Sequence, residues 1–263
     1  MGARIALVTG ATGGLGRVFV DQLLEEDGLD ELWAVARTAQ KLERLRDELG
    51  SRVVPLPVDL ANASGLRTVA RMLEEERPTV AYLVNNAGTA KMGAWDEFSV
   101  GEIERTVALN CTAVTALCRT CLPFMGRGSR ILNVSSASAF QPTPYLSLYA
   151  ATKAFELSYS RALRAELAGT GVTVCGVCPS WVDTDLLVRE VNGRRVAFPG
   201  LVPPEKVVAR ALRDARRGRA LSVHPRELSV YPLYAKYLHA AAKVVPQRVV
   251  MATWLRMLKR YEG

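Results

Sequence analysis

Short apolar runs alternate with longer amphipathic stretches along most of this chain. Runs such as Ile5 to Thr9 and Val80 to Val84 are rich in β-branched residues, which is typical of buried strands. The pattern predicts strands at 5–9, 32–36, 53–58, 80–84, 130–134 and 172–177, and helices at 15–26, 39–49, 66–76, 101–123 and around Tyr149 to about Ala168. Because strands and helices alternate strictly, we expect an α/β fold with a doubly wound parallel sheet and helices on both faces.

The chain length favours one domain with a helical extension. A chain of 263 residues, 49% of them hydrophobic, can bury one large core. We expect residues 1–225 to form the main unit, with 184–205 as a lid, and 226–263 to extend it through two helical stretches separated by Pro246. In the second stretch Val250, Trp254, Met257, Leu258 and Tyr261 share one face, and Arg248, Arg256 and Lys259 share the other. That helix suits a membrane surface, a pocket cover or a subunit interface.

Charge and cysteine content exclude several classes of protein. The net charge is +8, but the arginines are dispersed and no nucleic-acid-binding motif is present, so we expect no nucleic acid partner. The pairs Cys118/Cys121 and Cys175/Cys178 have CxxC spacing, yet they fall in a helical run and a strand, which favours buried thiols over a metal site. We find no signal peptide and no apolar run of spanning length, and therefore expect a cytoplasmic protein with reduced thiols.

Two motifs suggest chemistry. The glycine-rich run TGATGGLG joins the first strand to the first helix, an arrangement that presents bare N–H groups to a pyrophosphate. Much later, Tyr149 and Lys153 lie four residues apart, so a helix projects both from one face. A cation beside a phenol lowers the phenol pKa from about 10, which suits a general acid. A proton donor beside a dinucleotide indicates carbonyl reduction.

Together with two further motifs, this pattern resembles the classical short-chain dehydrogenase/reductase family, whose core is a Rossmann-like sheet. The family's TGxxxGxG run is met by Thr9, Gly10, Gly14 and Gly16, and its NNAG run includes Asn86, Ala87 and Gly88. Its catalytic serine falls on Ser136, and its helix asparagine falls on Asn110. The motifs occur in the family's order over residues 5 to about 185. The carboxyl ends of the strands, where Gly10, Asn86, Ser136 and Pro179 fall, are the expected ligand edge.

The resemblance implies a role for each catalytic residue. Tyr149 exchanges a proton with the substrate oxygen, and Lys153 lowers the tyrosine pKa and binds the nicotinamide ribose. Ser136 donates a hydrogen bond to the substrate oxygen, and Asn110 holds a water linking the lysine to solvent. Ser135 and Ser138 are competitors for the serine role, and Tyr145 is a rival phenol that lacks a lysine four residues later.

The cofactor is expected to be NADP(H) rather than NAD(H). The second strand ends at Ala36 where NAD-type members would carry an acid, and Arg37 follows, whose planar fork suits a 2′-phosphate. Asp59 matches the residue that contacts the adenine ring, with a helix cap as the alternative. The other predicted cofactor contacts are Thr12, Leu15, Leu60, Val182 and Thr184. The chain has Ser180 where the family usually has glycine, which is tolerable if φ there stays negative.

The substrate is expected to be a small lipophilic alcohol or ketone. Phe140, Tyr145, Trp181, Leu186 and Leu187 fall in segments that line the family's pocket, although apolar residues of this kind also form cores. Family members acting on steroids, retinoids and fatty acyl chains often carry C-terminal extensions, so hydroxysteroids and bile acids enter this class. We also expect a homodimer or homotetramer, formed through the helices of Asn110 and Tyr149, with an outward stripe of Val107, Val114 and Cys118 or Cys121.

Two other functions were weighed. An NADP-binding regulatory or scaffold protein of this fold would need no turnover, but such proteins typically lose the tyrosine or the lysine, and this chain keeps both Tyr149 and Lys153. A sugar epimerase or dehydratase of the extended branch would carry TGxxGxxG and a longer substrate domain. The run TGATGGLG fits both glycine spacings, but the longer substrate domain is missing from this sequence, which favours the oxidoreductase.

Overall fold

The computed structural model describes residues 2–185, 187, 190–191, 194–195, 201–224 and 246–261. In chain order its helices and strands are β1 (Arg4–Thr9), α1 (Gly14–Leu24), β2 (Glu31–Ala36), α2 (Ala39–Leu49), β3 (Val53–Pro57), α3 (Ala63–Glu76), β4 (Thr79–Asn85), α4 (Val100–Val107), α5 (Ala113–Cys121), β5 (Arg130–Val134), α6 (Ser147–Glu166), β6 (Thr173–Pro179), β7 (Glu190–Val191), β8 (Arg194–Arg195), α7 (Pro204–Arg216), β9 (Leu221–His224) and α8 (Gln247–Tyr261).

Seven strands form one parallel sheet in the order β3-β2-β1-β4-β5-β6-β9, and β7 and β8 form a separate antiparallel pair. The predicted α/β fold with a doubly wound sheet is confirmed. The strand order reverses between β1 and β4, and α/β sheets bind ligands in the crevice at such a point. Gly10 follows β1 and Asn86 follows β4, so both lie at this crevice.

The sheet is covered by an apolar layer on each side. In β1, Ala6 and Val8 pack with residues of α1, α2 and α7, whereas Ile5 and Leu7 pack with residues of α3, α5 and α6. Successive side chains of a strand point to opposite faces, so each strand contributes to both layers. This burial on two sides explains why the strands are continuous apolar runs rather than alternating ones.

The predicted strands agree with the structure, but one helix was missed. α7 had no counterpart in the sequence analysis, although Val207, Val208, Ala211, Leu212 and Ala215 follow a helical period and are buried. Its signal was available, because apolar residues at this spacing predict an amphipathic helix. The helix packs against α1 and helps to cover the side of the sheet next to the glycine-rich turn.

The long helix predicted at 101–123 is interrupted by a π-helical turn at Ala108–Thr112. The extra residue in a π turn rotates the following helix about its axis. Val107 is therefore exposed, as predicted, but Val114, Cys118 and Cys121 are buried against the sheet. The predicted outward stripe is wrong for these three residues, because it extended one helical period across the turn.

The helical stretch Val100–Phe124 is long and apolar enough to cross a membrane by length and composition alone. We expected no run of that kind. A core helix meets the same criterion, and this stretch supplies Leu117, Cys118 and Cys121 to the apolar layer beneath the sheet. Of its apolar window 33% is buried, so packing in the fold accounts for part of its apolar character.

The four cysteines with CxxC spacing are buried and free. Burial raises the pKa of Cys118, Cys175 and Cys178 to about 12 and that of Cys121 further still. Thiols with such pKa values are poor nucleophiles and poor metal ligands near neutral pH. Within the described residues no cluster of three or more His, Cys, Asp and Glu side chains could hold a metal ion.

The C-terminal helix α8 has the predicted inner and outer faces where its side chains are described. Val250 and Trp254 are buried, and Arg248 and Arg256 are exposed. The side chains of 257–261 and the whole first stretch at 231–245 lie outside the described residues. The inner face of α8 packs toward the ligand edge of the sheet, where Trp254 contacts Trp181 and Pro144.

Candidate active site

The glycine-rich turn has the shape that a pyrophosphate cradle requires. Gly10 and Gly14 have φ values of +66° and +52°, a conformation that glycine adopts readily. Gly16 lies so close to the turn that a Cβ on it would be 2.0 Å from the Gly10 oxygen. α1 begins at Gly14 with no side-chain cap and no acidic residue in its first turn. Its first N–H groups and its positive dipole end therefore suit an anion.

Hydrogen bonds join this turn to the NNAG segment after β4. The Thr9 hydroxyl accepts from the N–H groups of Asn86 and Ala87, both at 2.9 Å, and donates to Val84 O at 3.2 Å. The Asn86 side-chain amide donates to Thr9 O at 3.0 Å. The structure thus brings together the two predicted cofactor motifs and assigns Thr9 and Asn86 to fixing their relative position.

Two more predicted cofactor residues, Val182 and Thr184, lie beside the glycine-rich turn in the segment that follows β6. A Cβ on Gly14 would lie 3.5 Å from the Thr184 side chain, so Thr184 is adjacent to the turn. Val182 is buried and packs with Val202 and Val207, and Leu15 of α1 packs against this cluster.

The remaining predicted residues of this region differ in exposure. Pro179 ends β6 and is buried, whereas Thr12 is partly exposed in the turn. Ser180 is absent from the described non-glycine residues with positive φ, as the serine substitution requires.

Arg37 and Asp59 lie near the predicted adenosine end of the crevice. Arg37 follows β2 directly and is exposed, and the last residue of β2 is Ala36 rather than an acid. The Asp59 carboxylate pairs with Arg105 at 2.9 Å and accepts from Ala61 N–H at 3.1 Å. Burial opposes ionisation, but these hydrogen bonds outweigh it and lower the pKa of Asp59. Arg105 was missed by the sequence analysis because nothing local marks a contact with a residue 46 positions away.

Leu60, another predicted cofactor contact, is buried in the apolar layer with Val69 and Leu73. Its side chain is 4% exposed, so any cofactor contact there must come from its backbone. Asp59 does not cap α3, whose N-cap residue is Asn62 without a side-chain cap bond; its carboxylate instead accepts from Ala61 N–H and the Asn62 side-chain amide before the helix begins. The alternative of a helix cap for Asp59 is therefore wrong, because the helix begins four residues later.

Asn110 lies in the π-helical turn and is fully buried. Its side-chain amide donates to Thr89 O and to the Thr152 hydroxyl, both at 3.0 Å, and its oxygen accepts from Thr89 N–H at 3.0 Å. These bonds connect α6 to the segment after Gly88. π turns are frequent at functional sites because they displace a backbone segment from regular helical geometry.

Three serines follow β5, and they differ in their surroundings. The Ser135 hydroxyl is buried and donates to Lys153 O at 2.8 Å, so it serves the packing of α6. Ser136 is partly exposed, and its hydroxyl accepts from Ser138 N–H at 3.2 Å. The Ser138 hydroxyl is buried without a hydrogen-bond partner. Ser136 therefore keeps a hydroxyl hydrogen available to donate toward the cleft, as the predicted role requires.

Tyr149 and Lys153 lie one turn apart on α6. The Lys153 Nζ is 5.7 Å from the centre of the Tyr149 ring. A Cβ on Gly88 would lie 3.4 Å from this Nζ and 3.3 Å from Asn110 Oδ1. Lys153 is 4% exposed, and Tyr149 is partly exposed. The structure thus gathers Gly88, Asn110, Tyr149 and Lys153 at one point of the ligand edge.

The buried lysine has a partner that the sequence analysis missed. Nζ of Lys153 lies 2.8 Å and 3.1 Å from the two carboxylate oxygens of Glu156, which is also buried. A search for acids three residues after the lysine would have found it, because such residues meet on a helix. The same Nζ donates to Val134 O at 2.8 Å, which ties α6 to the end of β5.

The predicted substrate residues gather around the start of α6. Tyr145 has φ of +62°, which is unusual for an aromatic residue, and its carbonyl accepts from Gly93 N–H at 2.9 Å. Trp181 stacks on Trp254 of α8 with ring centres 6.5 Å apart. Trp254 Nε1 donates to Pro144 O at 2.9 Å. Phe140 is partly buried before this loop, and Leu186 lies outside the described residues.

Comparison with known proteins identifies the family. Residues 4–194 match the model described as short chain dehydrogenase, so the chain belongs to the short-chain dehydrogenase family of oxidoreductases. It is 28% identical over 251 residues to a ketoacyl reductase, HetN, of Nostoc sp., covering 94% of this chain and 86% of that relative.

Solved structures share the fold and bind either form of the cofactor. A short-chain dehydrogenase from Sphingobium yanoikuyae in complex with NADPH has a TM-score of 0.75 and 29% identity, covering 93% of this chain and 97% of that one. A 3-ketoacyl-(acyl-carrier-protein) reductase from Brucella melitensis complexed with NADH has a TM-score of 0.72 and 25% identity, covering 84% and 95%. The family therefore accommodates both nicotinamide cofactors.

Proposed function

We propose that this oxidoreductase uses NADP(H) to interconvert a lipophilic secondary alcohol and its ketone, with Tyr149 as the general acid and base. The observation that carries the proposal is the pairing of Tyr149 with the buried ammonium of Lys153 at the ligand edge, beside Gly88 and Asn110. The glycine-rich turn lies along the same edge. One cleft can thus hold a dinucleotide and supply a proton.

The residues of the crevice fit a dinucleotide. A Cβ at Gly10 or Gly16 would collide with Asn86, so glycine lets β1, α1 and the NNAG segment pack this closely, and the uncapped start of α1 offers N–H groups to phosphate oxygens. Arg37 and Asp59 would hold the adenosine portion, and Lys153 would bind the nicotinamide ribose. When bound, the nicotinamide supplies or accepts the hydride.

The proton chemistry belongs to the chain's own residues. In reduction, the Tyr149 hydroxyl gives its proton to the substrate oxygen while Ser136 donates a hydrogen bond to the same oxygen. The Lys153 ammonium stabilises the phenolate that forms, since an opposite charge nearby favours the ionised form. Oxidation runs these steps in reverse. Asn110 holds the segment at Thr89 and thereby the wall of the cleft beside Lys153.

A lipophilic substrate is supported by the aromatic wall of Trp181, Trp254 and Tyr145 and by the ketoacyl reductase relative. Monitoring NADPH absorbance against a panel of ketoacyl esters, aliphatic and aryl ketones, steroids and bile acids tests the proposal. We expect turnover on apolar ketones. NADPH binding without turnover on the whole panel would instead favour the alternative of a regulatory protein that uses the cofactor as a signal.

Replacing Arg37 tests the cofactor preference. We expect Arg37→Ala to weaken NADPH binding by about 1.5–3 kcal/mol, or on the order of tenfold to a hundredfold in Kd, because a charge-assisted contact with the 2′-phosphate is lost. The Kd for NADH should stay within about twofold. Fluorescence titration of both cofactors measures the two constants.

The matched control is Arg44→Ala, which removes the same charge from an exposed position on α2. It should leave both constants unchanged, apart from a small effect of net charge that salt screens. If Arg37→Ala weakens NADH as much as NADPH, Arg37 contacts a part of the cofactor other than the phosphate.

Replacing Trp254 tests whether α8 covers the substrate pocket. Trp254 stacks on Trp181 and fixes the loop that leads into α6, so we expect Trp254→Ala to lower kcat/KM for bulky ketones. Losing one apolar pocket contact costs about 1–3 kcal/mol, or roughly tenfold to 200-fold. The Kd for NADPH should not change. Steady-state kinetics with a bulky and a small ketone separate the pocket effect from a general loss.

The control for Trp254 is Leu255→Ala, which shortens the next side chain on the exposed side of α8. It should leave the kinetics intact. Deleting residues 247–263 distinguishes the other two interpretations of α8: a changed mass by light scattering indicates a subunit interface, and release from anionic vesicles indicates a membrane contact. Either result with normal kinetics on bulky ketones would contradict the pocket cover.

We further propose a homodimer or homotetramer formed through α4 and α6, which lie side by side. Val100, Ile103, Val107 and Phe155 expose apolar side chains on these helices, with Val100 70% exposed. Apolar surface of this kind favours a closed, symmetric assembly. A monomer mass by light scattering at micromolar concentration would contradict it.

A further inference from the structure

Glu156 is a buried acid beside the proposed catalytic pair. Its side chain is 1% exposed, and Leu157 and Ser160 of the same helix α6 are buried as well. Glutamate is rarely buried without a partner, because removing its charge from water is costly. The partner here is Lys153, which is equally withdrawn from solvent. The attraction between the two charges therefore offsets the cost of burying each of them.

The donors of Lys153 show what Glu156 does to its geometry. An ammonium has three N–H donors. Val134 O takes one at 2.8 Å, and the Glu156 carboxylate takes another, with its oxygens 2.8 Å and 3.1 Å from Nζ. The remaining donor is left for the cleft beside Gly88 and Tyr149. Val134 and Glu156 thus hold the ammonium from the side away from the cleft.

The electrostatics agree with this arrangement. Burial is the largest single influence on Lys153 and lowers its pKa, but the charge of Glu156, its hydrogen bond and the interactions with Tyr149 and Cys178 together outweigh burial and raise the pKa above the ordinary lysine value. Burial raises the pKa of Glu156 to about 7, although Lys153 acts in the opposite direction. Burial thus disfavours the charged form of both groups, and each partner's charge opposes this effect on the other.

Three other titratable groups face the pair: Tyr149 from α6, Cys111 from the π turn and Cys178 from β6. Burial raises the pKa of Cys111 to about 11 and that of Cys178 to about 12. Both thiols are neutral at pH 7, and Glu156 is the first of the groups whose ionised form raises the pKa of Lys153.

We propose that Glu156 is a positioning residue whose carboxylate keeps Lys153 protonated and directed toward Tyr149. Without it, a lysine in this buried position would release its proton as the pH rises, because burial disfavours the charged form. A neutral lysine no longer stabilises the Tyr149 phenolate. The effect on catalysis rests on the function proposed above, whereas the effect on the charge of Lys153 does not.

The direct test follows the Nζ of Lys153 by NMR of protein labelled with ¹⁵N-lysine, without cofactor or substrate, with the signal assigned by its loss in Lys153→Met. In the wild-type protein Lys153 should lose its proton at a pH above that of ordinary lysines. In Glu156→Gln, which keeps the size and an acceptor oxygen but removes the charge, the titration should move down by about one unit or more.

The kinetic test compares pH profiles of the holoenzyme. Since a lowered lysine pKa removes the charge only above that pKa, Glu156→Gln should resemble wild type near pH 6.5, and the fall of its kcat at alkaline pH should begin about one pH unit or more below that of wild type. Glu156→Asp, which restores the charge on a shorter side chain, should recover at least half of the shift in the profile. Glu166→Gln, the same change at an exposed position at the end of α6, should have no effect.

Each outcome decides the proposal. An unchanged Lys153 titration in Glu156→Gln, or an equal loss of kcat at every pH, would mean that Glu156 only fills space, and would overturn it. If Glu156→Gln does not fold, the wild-type titration decides: a Lys153 that loses its proton below the ordinary lysine value overturns the proposal. If the wild-type enzyme turns over no ketone, the proposed function fails, and the NMR titration still tests Glu156 by itself.

Discussion

Tyr149→Phe should remove nearly all turnover while NADPH binding stays within about twofold of wild type. General acid catalysis contributes about 10²–10⁴-fold, and phenylalanine keeps the ring but has no proton to give. The ring lies 5.7 Å from the Lys153 ammonium, which has the Val134 and Glu156 contacts to hold it when the hydroxyl is gone. The cofactor motifs are anchored through Thr9 and Asn86 and do not depend on the phenol.

Single-turnover kinetics with NADPH and fluorescence titration of the cofactor measure the two quantities separately. Tyr145→Phe is the matched control, because Tyr145 is 47% exposed nearby and has no lysine four residues later. It should retain turnover within a few fold. If Tyr149→Phe keeps more than a tenth of the wild-type rate, another group delivers the proton.

The sheet was predictable because its strands are buried on both faces. Runs such as Leu32–Val35 consist of apolar residues that serve two layers at once, and the helices between them carry one apolar face each. Such patterns depend on local sequence. The order of the strands was not predicted, because it depends on the crossovers between parallel strands rather than on any single residue.

The site was predictable where motifs define it and unpredictable where single long-range contacts do. Thr9 and Asn86 belong to motifs, and the structure joins them. Arg105 reaches Asp59 across 46 residues, and Trp254 reaches Pro144 across 110, so no local pattern marks either contact. Glu156 is different, because its spacing from Lys153 was visible and only its burial was not.

The error in the predicted oligomer stripe has one physical cause. A helix period of 3.6 residues predicts which positions share a face only while the helix stays regular. The π turn at Ala108–Thr112 changes the phase between α4 and α5, and Val114 is buried as a result while Val107 remains exposed. The same π turn places Asn110 in contact with Thr89 and Thr152. The irregularity that made the predicted stripe wrong therefore also positions a residue of the candidate site.

Gly16→Ala should unfold the glycine-rich turn locally and abolish cofactor binding. Replacing glycine by alanine inside a helix usually stabilises it by about 0.5–1 kcal/mol. Here the new Cβ would lie 2.0 Å from Gly10 O and 2.6 Å from Asn86 Nδ2, and the first contact is with backbone that cannot rotate away. Overpacking typically costs 1–3 kcal/mol, and a contact this short should reach at least the upper end of about 3 kcal/mol.

Urea unfolding without cofactor and calorimetric titration with NADPH measure the two effects of Gly16→Ala. The control is Gly101→Ala in α4, where a Cβ meets nothing within 4 Å, and it should leave stability equal or slightly higher. We expect Gly16→Ala to bind NADPH at least about a hundredfold more weakly, since α1 and the turn can no longer present their N–H groups together. Normal stability with normal NADPH binding would mean that α1 can shift away from β1 without cost, which its burial of Val18, Phe19 and Leu23 against the sheet opposes.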